Sequence, residues 1–210
     1  MENITAGKGL KIAVLISGSG TNLQSIIDQS AAGKLDVEVS LVVSSRPDAY
    51  GIERAKHAGI PVLVMSKTDY ADAMAANQRI ADACKQAGAE YLVMAGYMRM
   101  VLSPILDAYP NKVVNLHPAL LPSFKGAHAI QDAFDAGVKV TGVTVHFANE
   151  DYDKGPIIAQ RAVEVQEGWT VDDLEAAIHA VEHKLYPEAL ALIAAGRISV
   201  TVDGKVAVGN

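Results

Sequence analysis

The chain has one cysteine in 210 residues, Cys84, so no disulfide can form within it. A domain of this length needs neither a disulfide nor a metal staple, because it can bury roughly 70% of its unfolded surface. Cys84 shares a stripe with Ile80, Ala81 and Ala87, the spacing of a buried helix face, and reads as a small core thiol rather than a nucleophile. A lone thiol fits a reducing compartment, and a cytoplasmic location is expected. Long apolar runs are also missing. Lys8 and Lys11 precede an apolar stretch at 12–16, but it is too short for a signal-peptide core and residues 17–22 turn polar. The longest later run, 189–195, falls far below the ~18 residues of a membrane span, so no membrane partner is expected. Basic residues are outnumbered, 18 Lys+Arg against 24 Asp+Glu for a net charge of −6, and they form no cluster. That excludes a footprint for a phosphate backbone, and nucleic acid is not an expected partner. A small anionic ligand stays open, because a few local donors can hold one.

What is present is an alternation. Short β-branched or apolar runs at 11–16, 37–43, 61–64, 91–95 and 113–115 read as strands, and amphipathic stretches at 22–30, 49–58 and 70–87 read as helices. This pattern predicts a parallel sheet covered on both faces. After His117 come a proline-rich loop, a short helix over 127–136 and longer strands at 140–147 and 156–165, expected to extend the sheet antiparallel. Thr170 and Asp173 make a capping-box start, after which Leu174, Ala177, Ile178, Val181 and Leu185 keep helical spacing. Pro187 is expected to end or kink that helix, and 198–208 to form a hairpin about Asp203-Gly204. The expected fold class is single-domain α/β, a doubly wound, mostly parallel, Rossmann-like sheet with an antiparallel C-terminal extension.

The link from first strand to first helix is Ser17-Gly18-Ser19-Gly20-Thr21-Asn22-Leu23. Glycines there let backbone N–H groups turn toward an anion at a positive helix end. The dinucleotide fingerprint fails, since Leu23 stands at its third glycine and Ser44, Ser45 and Arg46 where its acid would follow. No Gly-Lys-Ser/Thr follows either. Taken alone, the loop fits a phosphate site and a tight turn with Thr21 or Asn22 as N-cap equally well.

Asn115-Leu116-His117-Pro118 is more informative. Residues two apart on a strand face one way, so Asn115 and His117 project together from a strand end where α/β sheets bind ligands. An amide that donates to an oxyanion beside an imidazole that moves a proton serves acyl transfer; the alternative is a polar pair that merely finishes a strand. The following loop is stiffened by Pro118 and Pro122, and Lys125 in it reads as a solvated charge. The acidic stretch Asn149-Glu150-Asp151-Tyr152-Asp153-Lys154-Gly155-Pro156 is an ordinary turn or a source of a carboxylate for His117. Calcium is excluded, because Lys154 takes the glycine position of such a loop and Gln160 that of its bidentate acid. A carboxylate returning to His117 would raise the histidine pKa. His146, on the strand before the acidic stretch, faces either core or site, and a satisfied structural histidine is the default reading. His57, His128 and His183 lack metal-ligand spacing, and no metal is expected.

In order along the chain, residues 16–23, Ala95-Gly96-Tyr97-Met98-Arg99, residues 115–122, Val145-His146-Phe147 and Asp153-Lys154-Gly155-Pro156 resemble the phosphoribosylglycinamide formyltransferase family. The resemblance implies a purine-synthesis enzyme that passes the formyl group of 10-formyltetrahydrofolate, a co-substrate, to the amine of glycinamide ribonucleotide. It implies Asn115, His117 and Asp153 as catalytic residues. Gly20, Thr21 and Asn22 would hold the substrate phosphate, with Glu182 and His179 as further substrate contacts, His179 falling where relatives carry Gln or Lys. Met98, Arg99, Met100 and Val101 would line the folate pocket with Asn115 and the loop of Asn149, Glu150, Asp151, Tyr152 and Asp153. The arginine some relatives place before the third helix has no match, Ala73 or Met74 standing there. The implied organisation is one domain over 1–210: a flexible segment at 1–10, a phosphate-binding half at 11–115 and a folate and catalytic half at 116–210. Small-molecule substrates are the expected partners, for a monomer or a homodimer.

Other readings rank lower. Methionyl-tRNA formyltransferases resemble the Asn-x-His-Pro string but carry a C-terminal tRNA domain, and this chain ends at Asn210. Formyltetrahydrofolate hydrolases carry an N-terminal regulatory domain, for which 1–10 leaves no room. A non-catalytic nucleotide-binding module leaves Asn115, His117 and Asp153 unexplained, and formate with ATP as donor lacks an ATP-binding segment.

Overall fold

A computed structural model describes residues 9–209; the expectations placed on residues 1–8 lie outside the described residues. Seven strands form the main sheet: β1 (Leu10–Ile16), β2 (Val37–Ser44), β3 (Val62–Val64), β4 (Tyr91–Met94), β5 (Val113–His117), β6 (Val140–Phe147) and β7 (Ile157–Glu164). Their order is β3-β2-β1-β4-β5-β6-β7. The first five pair in parallel and β6 and β7 antiparallel, so the α/β sheet and its antiparallel extension are as expected. Helices α1 (Thr21–Ala31), α2 (Gly51–His57), α3 (Ala73–Gln86), α4 (Ser103–Ala108), α5 (Ala129–Asp135) and α6 (Val171–Ala194) flank it, and β8 (Ile198–Val200) and β9 (Val206–Val208) make the terminal hairpin.

Side-chain alternation along β1 divides the core in two. Ile12, Val14 and Ile16 pack with Leu23 and Ile26 of α1 and Leu174, Ile178 and Leu185 of α6. Ala13 and Leu15 face the other way, onto Ile80, Ala81 and Cys84 of α3 and Ile105 of α4. Cys84 is fully buried, and burial pushes its thiol up to about 12. It is an inert core group, as its stripe implies.

Three elements depart from expectation. Residues 69–71 form a separate 3-10 turn, and α3 starts only at Ala73, where Asp72 accepts from the Ala75 N–H at 3.0 Å. Helix α4 has too few residues for its periodicity to register. Helix α6 passes through Pro187 to Ala194 instead of ending there. Proline lacks the N–H that would reach the carbonyl of residue 183. Ser25 Oγ and Gln29 Nε2 of α1 donate to that carbonyl instead, at 2.9 and 3.3 Å. Just before it, the buried Tyr186 hydroxyl donates to the Met94 and Val114 carbonyls at 3.1 and 3.0 Å, which pins α6 beneath the ends of β4 and β5.

Candidate active site

After β1 the chain runs outward through β2 and β3 and returns to the other side of β1 as β4. The crevice at that reversal, beyond the carboxyl ends of the strands, is where open α/β sheets bind ligands. A cavity of about 400 Å³ lies there. It brings together Gly20, Thr21 and Asn22 from the glycine loop, Asn115 and His117 from β5, Asp153 from the acidic turn, and His179 and Glu182 from α6.

Gly20 is the N-cap of α1, at φ 72 and ψ 30, and no side chain caps the helix. Neither Thr21 nor Asn22 is an N-cap, so the first-turn N–H groups are left for an anion in the cavity. Gly20 is required twice over. Its φ favours glycine, and a Cβ would stand 2.7 Å from the Gly51 Cα. Arg54 braces the loop, with Nε donating to the Ser19 carbonyl at 2.8 Å and the guanidinium 5.0 Å from the Tyr50 ring centre.

Across the cavity, Asn22 Nδ2 donates to Glu182 Oε2 at 3.0 Å, and His179 Nδ1 lies 2.8 Å from the same oxygen. His179 Nε2 is 3.3 Å from Glu175 Oε1. Residues three and four apart on a helix share a face, which is how α6 presents this acid–imidazole–acid row. The Glu182 hydrogen bond, helped by Glu175 and opposed by burial, raises the His179 pKa. Asn22 Oδ1 is buried without a protein partner.

Asn115 and His117 end β5 on one face. His117 Nε2 is 2.8 Å from the Phe124 carbonyl, which can only accept, so this nitrogen carries a proton. Its Nδ1 lies 3.5 Å from Asp153 Oδ2. Asp153 pushes the histidine pKa up, as an acidic neighbour should. Burial pushes harder in the other direction and the net shift is downward, which corrects the expected rise. Burial thus favours the neutral imidazole, although both of its nitrogens face acceptors. Burial also raises the Asp153 carboxyl. The adjoining His146, the Gly126 N–H donating at 2.9 Å and His117 outweigh that and hold it below the usual carboxylate range.

The loop between β5 and α5 is clamped from below by Thr144 of β6, whose Oγ1 donates to the Ala119 carbonyl at 2.7 Å. It accepts from the Leu121 N–H at 3.1 Å and from Gln160 Nε2 at 2.9 Å. Lys125 is exposed, as expected of a solvated charge. Beside the main cavity, Arg99, Met100 and Val101 meet Asn149, Glu150, Asp151, Tyr152 and Asp153 around a narrow crevice of about 30 Å³; Asn115 and His146 close its inner end. Met98 stands at the mouth of the main cavity, well exposed. Among the described residues no group of three His, Cys, Asp or Glu is placed to hold a metal, and no helix is long and apolar enough to cross a membrane.

Residues 10–190 match the family model described as formyl transferase. The chain belongs to the formyl transferase family. It is 41% identical over 180 residues to the phosphoribosylglycinamide formyltransferase of Bacillus subtilis, across 86% of this chain and 92% of that protein. It is 39% identical over 199 residues to the trifunctional purine biosynthetic protein adenosine-3 of Bos taurus, across 95% of this chain but only 20% of that much longer protein. The solved glycinamide ribonucleotide transformylase 1 of Symbiobacterium toebii matches with a TM-score of 0.95 at 45% identity, covering 100% of this chain and 99% of that one.

Three site features carry little or no signal in the sequence. Glu175 completes the α6 row, and helical spacing from His179 could have found it. The Phe124 carbonyl on His117 is a backbone group with no sequence signal. His146, expected to be structural, stands directly opposite Asn115 across the β5–β6 pair, a register that nothing within either strand specifies.

Proposed function

We propose that the protein transfers the formyl group of 10-formyltetrahydrofolate to the amine of glycinamide ribonucleotide, giving the N-formyl product and tetrahydrofolate in purine synthesis. The observation that carries this reading is the sharing of one cavity by the uncapped glycine loop and the Asn115, His117 and Asp153 cluster. A phosphate held at the first puts the far end of a ribonucleotide near the second. The names of the Bacillus subtilis and Symbiobacterium toebii proteins support the same substrate. The glycine loop of the half 11–115 then serves the phosphate together with His179 and Glu182 of the half 116–210, and the acidic turn of the second half serves the folate together with Arg99, Met100 and Val101 of the first.

In this reading the neutral amine attacks the formyl carbon, and electrons move onto the formyl oxygen. An Asn115 N–H donates to that oxyanion, an interaction of a kind that contributes about 2.7 to 4 kcal/mol. His117 is neutral at the start and flanked by two acceptors, so it is suited to becoming imidazolium while the negative charge lasts. The proton lost by the amine reaches the folate nitrogen as its bond to the formyl carbon breaks. Passage through His117 Nε2 requires the Phe124 carbonyl to release it. Entry of a bicyclic folate ring requires the loop at 149–153 to move away from 99–101, a lid motion of an ordinary kind. The test is spectroscopic: 10-formyltetrahydrofolate should be consumed only when glycinamide ribonucleotide is present. Equal consumption without it would make the protein a hydrolase.

Two predictions concern the substrates. Protonated His179 offsets Glu182 and Glu175 beside the phosphate site, and its raised pKa keeps that cation above the ordinary value near ~6.5, to be lost as pH rises through the raised one. His179→Gln should therefore raise the KM for the ribonucleotide roughly threefold to fivefold at pH 6 and little at pH 9. A pH-independent change would show that charge plays no part. For folate, the Arg99 guanidinium lies 4.5 Å from the Tyr70 ring centre and opens onto a cleft of about 670 Å³ that Lys67 also lines, with Arg46 beside it paired to Asp48. In a chain of net charge −6 this cleft suits the acidic folate tail, taking the place of the unmatched arginine. Lys67→Glu should raise the KM for a triglutamyl folate roughly fivefold more than that for the monoglutamate. An equal rise for both would remove the tail from this cleft.

A further inference from the structure

We propose that His146 is a positioning residue that dictates which side of the Asn115 amide meets the reacting formyl group, an inference that rests on the formyl-transfer reading. His146 and Asn115 are direct partners across the antiparallel β5–β6 pair, and the His146 side chain is 2% exposed. Its Nδ1 lies 2.9 Å from the Phe147 carbonyl oxygen. A carbonyl has lone pairs alone, so Nδ1 carries a proton, and in the singly protonated ring that we propose Nε2 then has only a lone pair to offer. Asn115 Nδ2 is 3.1 Å from that lone pair, and the amide must present its NH₂ there, since the amide oxygen would oppose one lone pair with another. One N–H of Asn115 is thus consumed by His146. The second remains for the cavity, where an oxyanion needs a donor.

Two side chains, besides the Phe147 carbonyl, face the His146 ring. From β5 it meets Asn115. From the acidic turn it meets Asp153, whose Oδ1 is 3.7 Å from Nε2, beyond hydrogen-bond reach. His117 lies on the far side of that same carboxylate, its Nδ1 against Oδ2. The turn also protects the carbonyl that sets the tautomer. Gly155 packs so tightly on Phe147 that any Cβ there would run into the carbonyl oxygen, which gives a physical reason for the glycine in Asp153-Lys154-Gly155-Pro156. A protonated or Nε2-protonated ring would reverse the arrangement, drawing the amide oxygen toward itself and turning the NH₂ away.

Two measurements on the whole protein test this. In ¹⁵N-labelled enzyme without substrate at neutral pH, long-range proton–nitrogen correlation should show His146 neutral with Nδ1 protonated; an Nε2-protonated or charged ring would overturn the proposal. In steady-state kinetics, His146→Leu should lower kcat roughly tenfold to a hundredfold with both KM values within about threefold. His146→Gln, which keeps an acceptor, should recover part of the loss. The same His146→Leu change made in an Asn115→Ala background should cost nothing more, because its effect passes through the amide. An equal further loss in that background, or no loss in the single variant, would overturn the assignment. If His146→Leu does not fold, the tautomer and the glutamine variant decide. A wild-type protein that lacks formyl transfer would sink the proposed function and leave the tautomer result standing, so the two failures can be told apart.

Discussion

Replacing Asn115 by alanine should lower kcat by about 10²- to 10³-fold while leaving both KM values nearly unchanged. The amide stands at the end of β5, held by one N–H to His146 at 3.1 Å, and its other N–H is aimed before substrate arrives. Such a donor pays no reorganisation cost when charge develops on the formyl oxygen, and it meets little charge in the ground state. Its loss should therefore appear in the chemical step rather than in binding. The variant should fold, because the side chain is only partly buried and the β5 ladder is made by backbone groups. A kcat near that of the parent, in a folded protein, would remove Asn115 from the mechanism even if formyl transfer itself were established.

Asp153→Asn should be nearly as damaging, for an electrostatic reason. The neutral amide can still accept from the Gly126 N–H that now reaches Asp153 Oδ2 at 2.9 Å, so the local fold should survive. What disappears is the negative charge 3.5 Å from His117 Nδ1. Burial already holds the His117 pKa below its ordinary value, and without the carboxylate it should fall further, leaving an imidazolium harder to form in the transition state. A kcat loss on the order of 10²-fold is expected, with folate and ribonucleotide binding largely kept, and an NMR titration of His117 should show the downward move directly. The sign for stability is separate. Because its native pKa is depressed, Asp153 contributes stability that is present above the unfolded value near ~3.9 and lost as pH falls through the native one. Denaturant midpoints of parent and variant should therefore differ most near neutrality and converge in acid. The double variant Asn115→Ala with Asp153→Asn should be far less impaired than the product of the two single losses, since both groups serve one transition state. Full multiplicativity would mean that they act in separate steps.

Much of the candidate site is legible from residue order because strand periodicity is local. Asn115 and His117 are two apart, so they share a face in any strand that contains them, and a glycine-rich link after a first strand meets a helix end in any doubly wound sheet. The core follows the same rule, the alternation along β1 sorting Ile12, Val14 and Ile16 from Ala13 and Leu15. At Pro187 and His117, where expectation and structure part, the reason lies in another element. Pro187 lacks a donor that α6 cannot replace, and Ser25 and Gln29 of α1 compensate for it. His117 was expected to be raised by an acid and is instead lowered by burial, a property of the whole assembly.

By itself, then, the sequence determined the order and type of the main strands and of the longer helices, the inert core position of Cys84 and the residue types suited to acyl transfer, since each depends on spacing or on the chemistry of single side chains. The tertiary structure alone decided the β5–β6 register that sets His146 opposite Asn115, the closeness of Asp153, on a distant turn, to His117, and the placing of Glu175, His179 and Glu182 of α6 against the glycine loop. Those contacts join residues far apart in the chain. Their geometry is set by strand register and helix packing, which emerge only when every element competes for the same buried space.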